Sequence, residues 1–245
     1  MGGVLSIDLA YKKARDFGIC LIEKRKGQAL KIKFIPPQEL INDPPEGAQC
    51  AQAIFEFCKR HKVRIVLLDG PQGWKDPSSP LPHSRHCEKI LFTPGKTGTV
   101  GKSKPGNYAP FISFSIDVFA QLVTLGGELV SNAVVKTPKD GLLVVESFPT
   151  SAWRKLGIRL LPGKAKAKRG DIQDRLFRLQ ELLGFRADRE PTHDELQALV
   201  AGVAGVAILA GKPSGCCVQG SPPREVDGVI VEGFIVNPCI EHLAV

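Results

Sequence analysis

Val4-Leu5-Ser6-Ile7-Asp8-Leu9, Phe17-Gly18-Ile19-Cys20-Leu21-Ile22-Glu23 and Leu30-Lys31-Ile32-Lys33-Phe34 follow one another with short links. The first two are apolar runs of strand length, and the third alternates strictly, as a half-exposed strand does. Short links favour an antiparallel meander, with the lysine-bearing third strand at the edge, where charge discourages unwanted pairing. Pro36, Pro37, Pro44 and Pro45 then break the chain, and Ala51, Ile54, Phe55 and Cys58 return at helical spacing. Val63 to Leu68 is almost continuously apolar, which suits a central strand covered on both faces. The order is therefore β-β-β-α-β, an α/β fold with a mixed sheet.

Beyond this unit, residues 70–140 open with a segment rich in Pro, Gly, Ser and Lys, expected to be a long inserted loop before a helix over Phe111–Leu125. Gly141–Glu146 predicts another buried strand. Ile172, Leu176, Leu179 and Leu183 predict an amphipathic helix. Thr192 starts a last long helix with Leu196, Leu199, Val200, Val203 and Val206 on its apolar face, where Gly202 and Gly205 permit close approach to the sheet. Pro222 and Pro223 precede a final strand-like run, Gly228–Val236. A chain of 245 residues can bury one sizeable core, so a single domain over 1–245 with an insertion at about 70–140 is expected.

Composition narrows the class. A hydrophobic content of 43% excludes a disordered chain, and no apolar run reaches the ~18–20 residues of a membrane span. Charged residues from Asp8 onward leave no room for a secretion signal, and seven cysteines without a C-x-x-C pair read as reduced thiols, so a cytoplasmic protein is expected. The net charge of +8 is uneven, because residues 154–178 alone carry +7. Much of that lies in Leu161-Pro-Gly-Lys-Ala-Lys-Ala-Lys-Arg-Gly170, which reads as a solvated turn or as a flap for a polyanion.

Acids punctuate the ends of the apolar elements. Asp8 closes the first strand, and Asp69 closes the fourth, just before Gly70-Pro71-Gln72-Gly73-Trp74. If those strands are neighbours, two carboxylates meet and require a cation or a proton between them. Asp194 follows Thr192, whose capping-box partner is Glu195, so Asp194 is free either for the helix dipole or for chemistry. Glu146 ends an apolar strand and needs a partner, which a metal, Arg154 or a backbone cap would supply.

Ile7-Asp8-Leu9-Ala10, Asp69-Gly70-Pro71-Gln72-Gly73, Arg85-x-Cys87-Glu88, Glu146-Ser147-Phe148-Pro149-Thr150 and His193-Asp194-Glu195-Leu196-x-Ala198-Leu199 stand in that order over roughly residues 3–240. This series resembles an uncharacterised family of predicted nucleases with an RNase H-like fold (domain of unknown function 429). The resemblance implies three antiparallel strands, a helix and further parallel strands flanked by helices. It also implies a metal-dependent nuclease that hydrolyses phosphodiesters by a two-metal mechanism. Asp8, Asp69 and Asp194 would ligate Mg²⁺ or Mn²⁺, with Asp8 bridging and Glu146 as a fourth ligand or water-orienting group. Lys164, Lys166, Lys168 and Arg169 would hold RNA or DNA, with Arg85 beside them and Trp74 stacking on a base. Lys96, Lys102 and Lys104 would form a second clamp. One departure stands out, since family members often carry His-Pro-Glu where this chain has Ser147-Phe148-Pro149-Thr150.

Two other readings use the same residues. An actin- or sugar-kinase-like phosphotransferase shares the core topology, but Asp8 is followed by Leu9-Ala10-Tyr11-Lys12-Lys13 without the Gly and Thr of a phosphate hairpin. A non-catalytic nucleic-acid-binding protein would keep the fold and use only the basic segment. A serine hydrolase is disfavoured, because no G-x-S-x-G elbow is present.

Overall fold

A computed structural model describes residues 2–24, 28–138 and 140–242. Three antiparallel strands open it: β1 (Gly3–Asp8), β2 (Gly18–Glu23) and β3 (Lys31–Phe34). Helix α1 (Gly47–His61) follows, burying Cys50, Ala51, Ile54, Phe57 and Cys58 on one face. Phe57 takes the buried position expected of Phe55, which is half-buried. Lys62 ends α1 in the left-handed conformation and turns the chain into β4 (Val63–Asp69), parallel to β1.

The stretch expected to be a long loop is largely irregular but holds α2 (His86–Leu91) and the small hairpin β5 (Lys96–Thr97) and β6 (Ser103–Lys104), and the expected helix follows it as α3 (Ala109–Thr124), with β7 (Gly127–Leu129) after. Its glycines and prolines lie between these short elements, whose individual hydrophobic patterns are too brief to register in sequence. β8 (Leu142–Ser147) then pairs parallel with β4. After it come α4 (Pro149–Lys155), α5 (Arg169–Leu183), the two-residue β9 (Arg186–Ala187), α6 (His193–Leu209), and the pair β10 (Cys216–Val226) and β11 (Val229–Pro238).

The main sheet runs β10-β11-β8-β4-β1-β2-β3-β9, with β7 also against β8. Two expectations are corrected here. β3 is not the edge, because β9 adds a short parallel contact at Lys31 and Ile32. The residues before β11 form a long strand despite Pro222 and Pro223, because the ladder shifts register between Ser221 and Arg224, where no proline N–H is needed.

Alternation along the central strands divides the core. Val4, Ile22, Ile65, Leu67 and Val145 pack on one face with α4, α5 and α6. Leu5, Ile7, Leu21, Val66, Leu68 and Val144 pack on the other with α1 and α3. α6 rests directly on the sheet. A Cβ on Gly205 would lie 2.5 Å from Val4 Cγ1 and 2.6 Å from Leu67 Cδ1, so only glycine permits that approach. Among the described residues, no helix is long and apolar enough to cross a membrane.

Candidate active site

The centre starts from a register. β1 and β4 pair in parallel with Asp8 directly opposite Asp69, so both side chains leave the sheet at neighbouring strand ends. Each residue keeps some solvent access at the strand ends, yet protein crowds both carboxyls. Burial, then the charges of Asp69 and Asp194, pushes Asp8 well above the ordinary carboxylate range, against the opposing pull of Lys164. Burial and the charge of Glu146 push Asp69 up to about 7, although its hydrogen bond with Asp8 works the other way. Two carboxyls joined in this way titrate as a coupled pair, each ionisation opposing the other.

Asp194 approaches Asp8 from another direction, near enough for its charge to raise that carboxyl. Thr192 caps α6, its hydroxyl accepting from the Glu195 N–H while Glu195 accepts from the Thr192 N–H at 2.8 Å, and Arg189 holds the rest of the Glu195 carboxylate. Asp194 is left for other work, at 8% exposure. The Lys164 ammonium donates to Asp194 Oδ2 at 2.5 Å and to Asp16 Oδ1 at 3.0 Å. His193 Nδ1 lies 3.0 Å from Asp194 Oδ1, and its Nε2 lies 2.9 Å from the Pro162 carbonyl. Burial would raise the Asp194 carboxyl, but the bonds from His193 and Lys164 prevail and lower it. The loop carrying Lys164 is thus tied to the start of α6 at two points.

Gly18 makes that docking possible, and the sequence alone did not mark it. It pairs with Asp8 across β1 and β2, and a Cβ there would overlap the Asp194 carbonyl. The missed signal was a glycine opening a strand that is otherwise apolar, often a mark of close backbone approach.

Glu146 has a different position from the one expected. It is opposite Leu68, one step before Asp69, and both of its oxygens are taken. Arg85 donates from Nη1 to Oε2 at 2.8 Å and from Nη2 to Oε1 at 2.6 Å, and the Gln72 N–H donates to Oε2 at 2.9 Å. A guanidinium fork and a backbone N–H thus hold Glu146, and its charged partner is Arg85 rather than Arg154. Arg85 is 1% exposed and also bonded to Glu88 and Thr97, so its charge is spent inside the protein and not open to a backbone phosphate. Trp74 is 5% exposed and packs with Ile112, Ile116 and Val231, which removes it as a base-stacking platform.

The basic segment is divided in the same way. Lys164 faces the carboxylates, and Arg169 is paired with Glu190 at 2.8 Å. Arg175 is buried and donates to the carbonyls of Arg159 and Leu160. Lys166 and Lys168 remain exposed. Between β4 and β8, Lys96 donates to the Glu88 carbonyl, which ties it inward.

Asp8 and Asp69 offer hard oxygen donors to a cation, whose charge would offset their mutual repulsion. Among the described residues, however, no three His, Cys, Asp or Glu side chains are already arranged to hold an ion. The Asp194 carboxylate is bonded to the Lys164 ammonium instead.

Antiparallel strands on one side of β1, parallel strands on the other and helices on both faces are the arrangement the sequence resemblance implied. The fold is RNase H-like. No family profile and no curated protein matches this chain. Among solved structures, the chain is similar to the Thermus thermophilus RuvC structure, with a TM-score of 0.41 and 11% identity over 86% of this chain and 97% of that one. It is also similar to T. thermophilus RuvC in complex with a Holliday junction substrate, with a TM-score of 0.40 and 9% identity over 86% of this chain and 98% of that one.

Proposed function

We propose that this chain is a metal-dependent nuclease of the predicted-nuclease family its motifs resemble, hydrolysing phosphodiester bonds in RNA or DNA. One observation carries the reading: Asp8 and Asp69 are in register at parallel strand ends, where burial raises both carboxyls above the ordinary range, a situation that a bound cation would relieve.

Mg²⁺ or Mn²⁺ would be held by Asp8 and Asp69, with Asp194 joining once Lys164 releases it. When bound, such an ion supplies positive charge and a polarised water at a scissile phosphate. The remaining roles belong to the chain itself. Lys164 neutralises Asp194 and Asp16 in the resting protein and is 54% exposed, so its ammonium is free to turn toward a phosphate. Lys166 and Lys168, exposed on the same loop, suit contacts to the sugar-phosphate backbone, which position a nucleic acid without reading its sequence. Gln72, Arg85 and Glu146 hold the turn after Asp69 in place.

The test is incubation of the purified protein with structured RNA, DNA and hybrid substrates in Mn²⁺. Cleavage lost in Asp8→Asn supports the reading, and cleavage unchanged in that variant overturns it. A non-catalytic nucleic-acid-binding protein is the second reading, favoured by the Lys164 bond that closes Asp194. Tight, salt-sensitive binding with no cleavage in any divalent ion would establish it instead.

A further inference from the structure

The insertion builds one side of a cleft of about 180 Å³ beside Asp69. Tyr108 and Phe111, from the start of α3, line it together with Phe148 from the end of β8. Asp69 and Ser147 line it side by side, because they are in register on β4 and β8. Ser147 is 2% exposed, and its hydroxyl has no hydrogen-bond partner. A buried hydroxyl left unbonded is costly, so a ligand group that reaches it recovers that cost.

Size, charge and shape restrict the occupant. An apolar cavity of ~150 Å³ accepts one benzene ring, so this cleft suits a single ring system. Asp69 repels an anion, and the Arg85 guanidinium that also lines the cleft is committed to Glu146 and Glu88, so a phosphate has no free cation there. Aromatic walls with a few polar groups favour a neutral planar heterocycle bearing N–H donors. We propose that the cleft binds one unpaired nucleobase, so that the substrate presents a base outside a duplex, whether in a single strand, in a bulge or flipped out. This rests on the nuclease reading, and it uses Ser147 and Phe148 where the resembled family often carries His and Pro.

The test uses a single-stranded oligonucleotide with 2-aminopurine at one position, the same strand with an abasic site there, and free nucleosides, all in EDTA. The expected result is a change in 2-aminopurine emission on binding and a preference for the base-containing strand of roughly fivefold or more, as base stacking supplies. Phe111→Ala and Ser147→Ala should lose that preference. Lys166→Ala/Lys168→Ala should weaken both strands equally. Thermal melting checks that each variant is folded, and Tyr108→Ala replaces Phe111→Ala if the latter is not. Equal binding of both strands, with no nucleoside saturation-transfer signal that depends on Phe111, overturns the cleft proposal while leaving cleavage in Mn²⁺ intact. Nucleoside signals lost in Phe111→Ala without any oligonucleotide binding sustain the cleft and remove the nuclease reading. Binding of neither overturns the cleft as well.

Discussion

Asp8 and Asp69 face each other across β1 and β4, and burial raises both carboxyls. In the unfolded chain each ionises near 3.8, whereas in the folded chain Asp69 is pushed up to about 7 and Asp8 well above its ordinary range. The folded state therefore binds more protons over that window, and stability from this pair, complete at low pH, is lost as pH rises through 7. Asp69→Asn removes the effect. In EDTA, its melting temperature should gain on wild type by roughly 4–10 °C between pH 5 and pH 8, since a tenfold difference in proton affinity between the folded and unfolded chain is worth ~1.4 kcal/mol. Parallel melting curves across that range would contradict the raised Asp69 carboxyl.

Lys164 and its neighbours should separate cleanly. Lys164 lowers the Asp194 carboxyl and opposes the upward shift of Asp8, so its ammonium competes with any cation. Lys164→Ala should tighten Mn²⁺ binding by about 3- to 10-fold in calorimetry, from loss of one nearby positive charge. Lys166→Ala/Lys168→Ala should leave Mn²⁺ binding unchanged while reducing the slope of log K against log salt for nucleic acid by about 2.

Arg85 is expected to be the least replaceable charge. Arg85→Met strands Glu146 and Glu88 as buried carboxylates and should cost about 3–5 kcal/mol in urea unfolding. Arg85→Lys should recover little, because an ammonium cannot reproduce the two-pronged contact with Glu146. Adding Glu146→Gln to Arg85→Met should restore part of the loss by removing one uncompensated charge.

Gly18→Ala tests how α6 is seated. Its methyl would overlap the Asp194 carbonyl, so the start of the helix must move. We expect a destabilisation of about 1–3 kcal/mol, as for other overpacked sites. Cleavage in Mn²⁺ should fall further than in Gly170→Ala, where a Cβ has open space.

The β-β-β-α-β order, the long final helix and its glycines, and the positions of Asp8, Asp69 and Asp194 at element ends were legible in sequence, because periodicity and punctuation are local. The capping role of Glu195 was legible for the same reason, lying three residues from Thr192. β10 was not, because paired prolines ordinarily exclude a strand and only the register shift against β11 accommodates them. The role of Glu146 was also hidden. Its fork partner Arg85 lies 61 residues away in what reads as a loop, and a spacing of that length carries no periodic signal.

The sequence by itself determined which side chains carry charge and at which ends of which elements they stand. The tertiary structure decided which of them meet. Asp8 and Asp69 came together through parallel pairing of strands separated by a helix, and Asp194 through a helix that Gly18 lets approach. Glu146, Arg85 and Trp74 went into the interior, and Lys164 went to the acids. The physical reason is range: hydrophobic periodicity acts within a few residues, whereas the register of a sheet and the pairing of buried charges are settled only when distant segments pack.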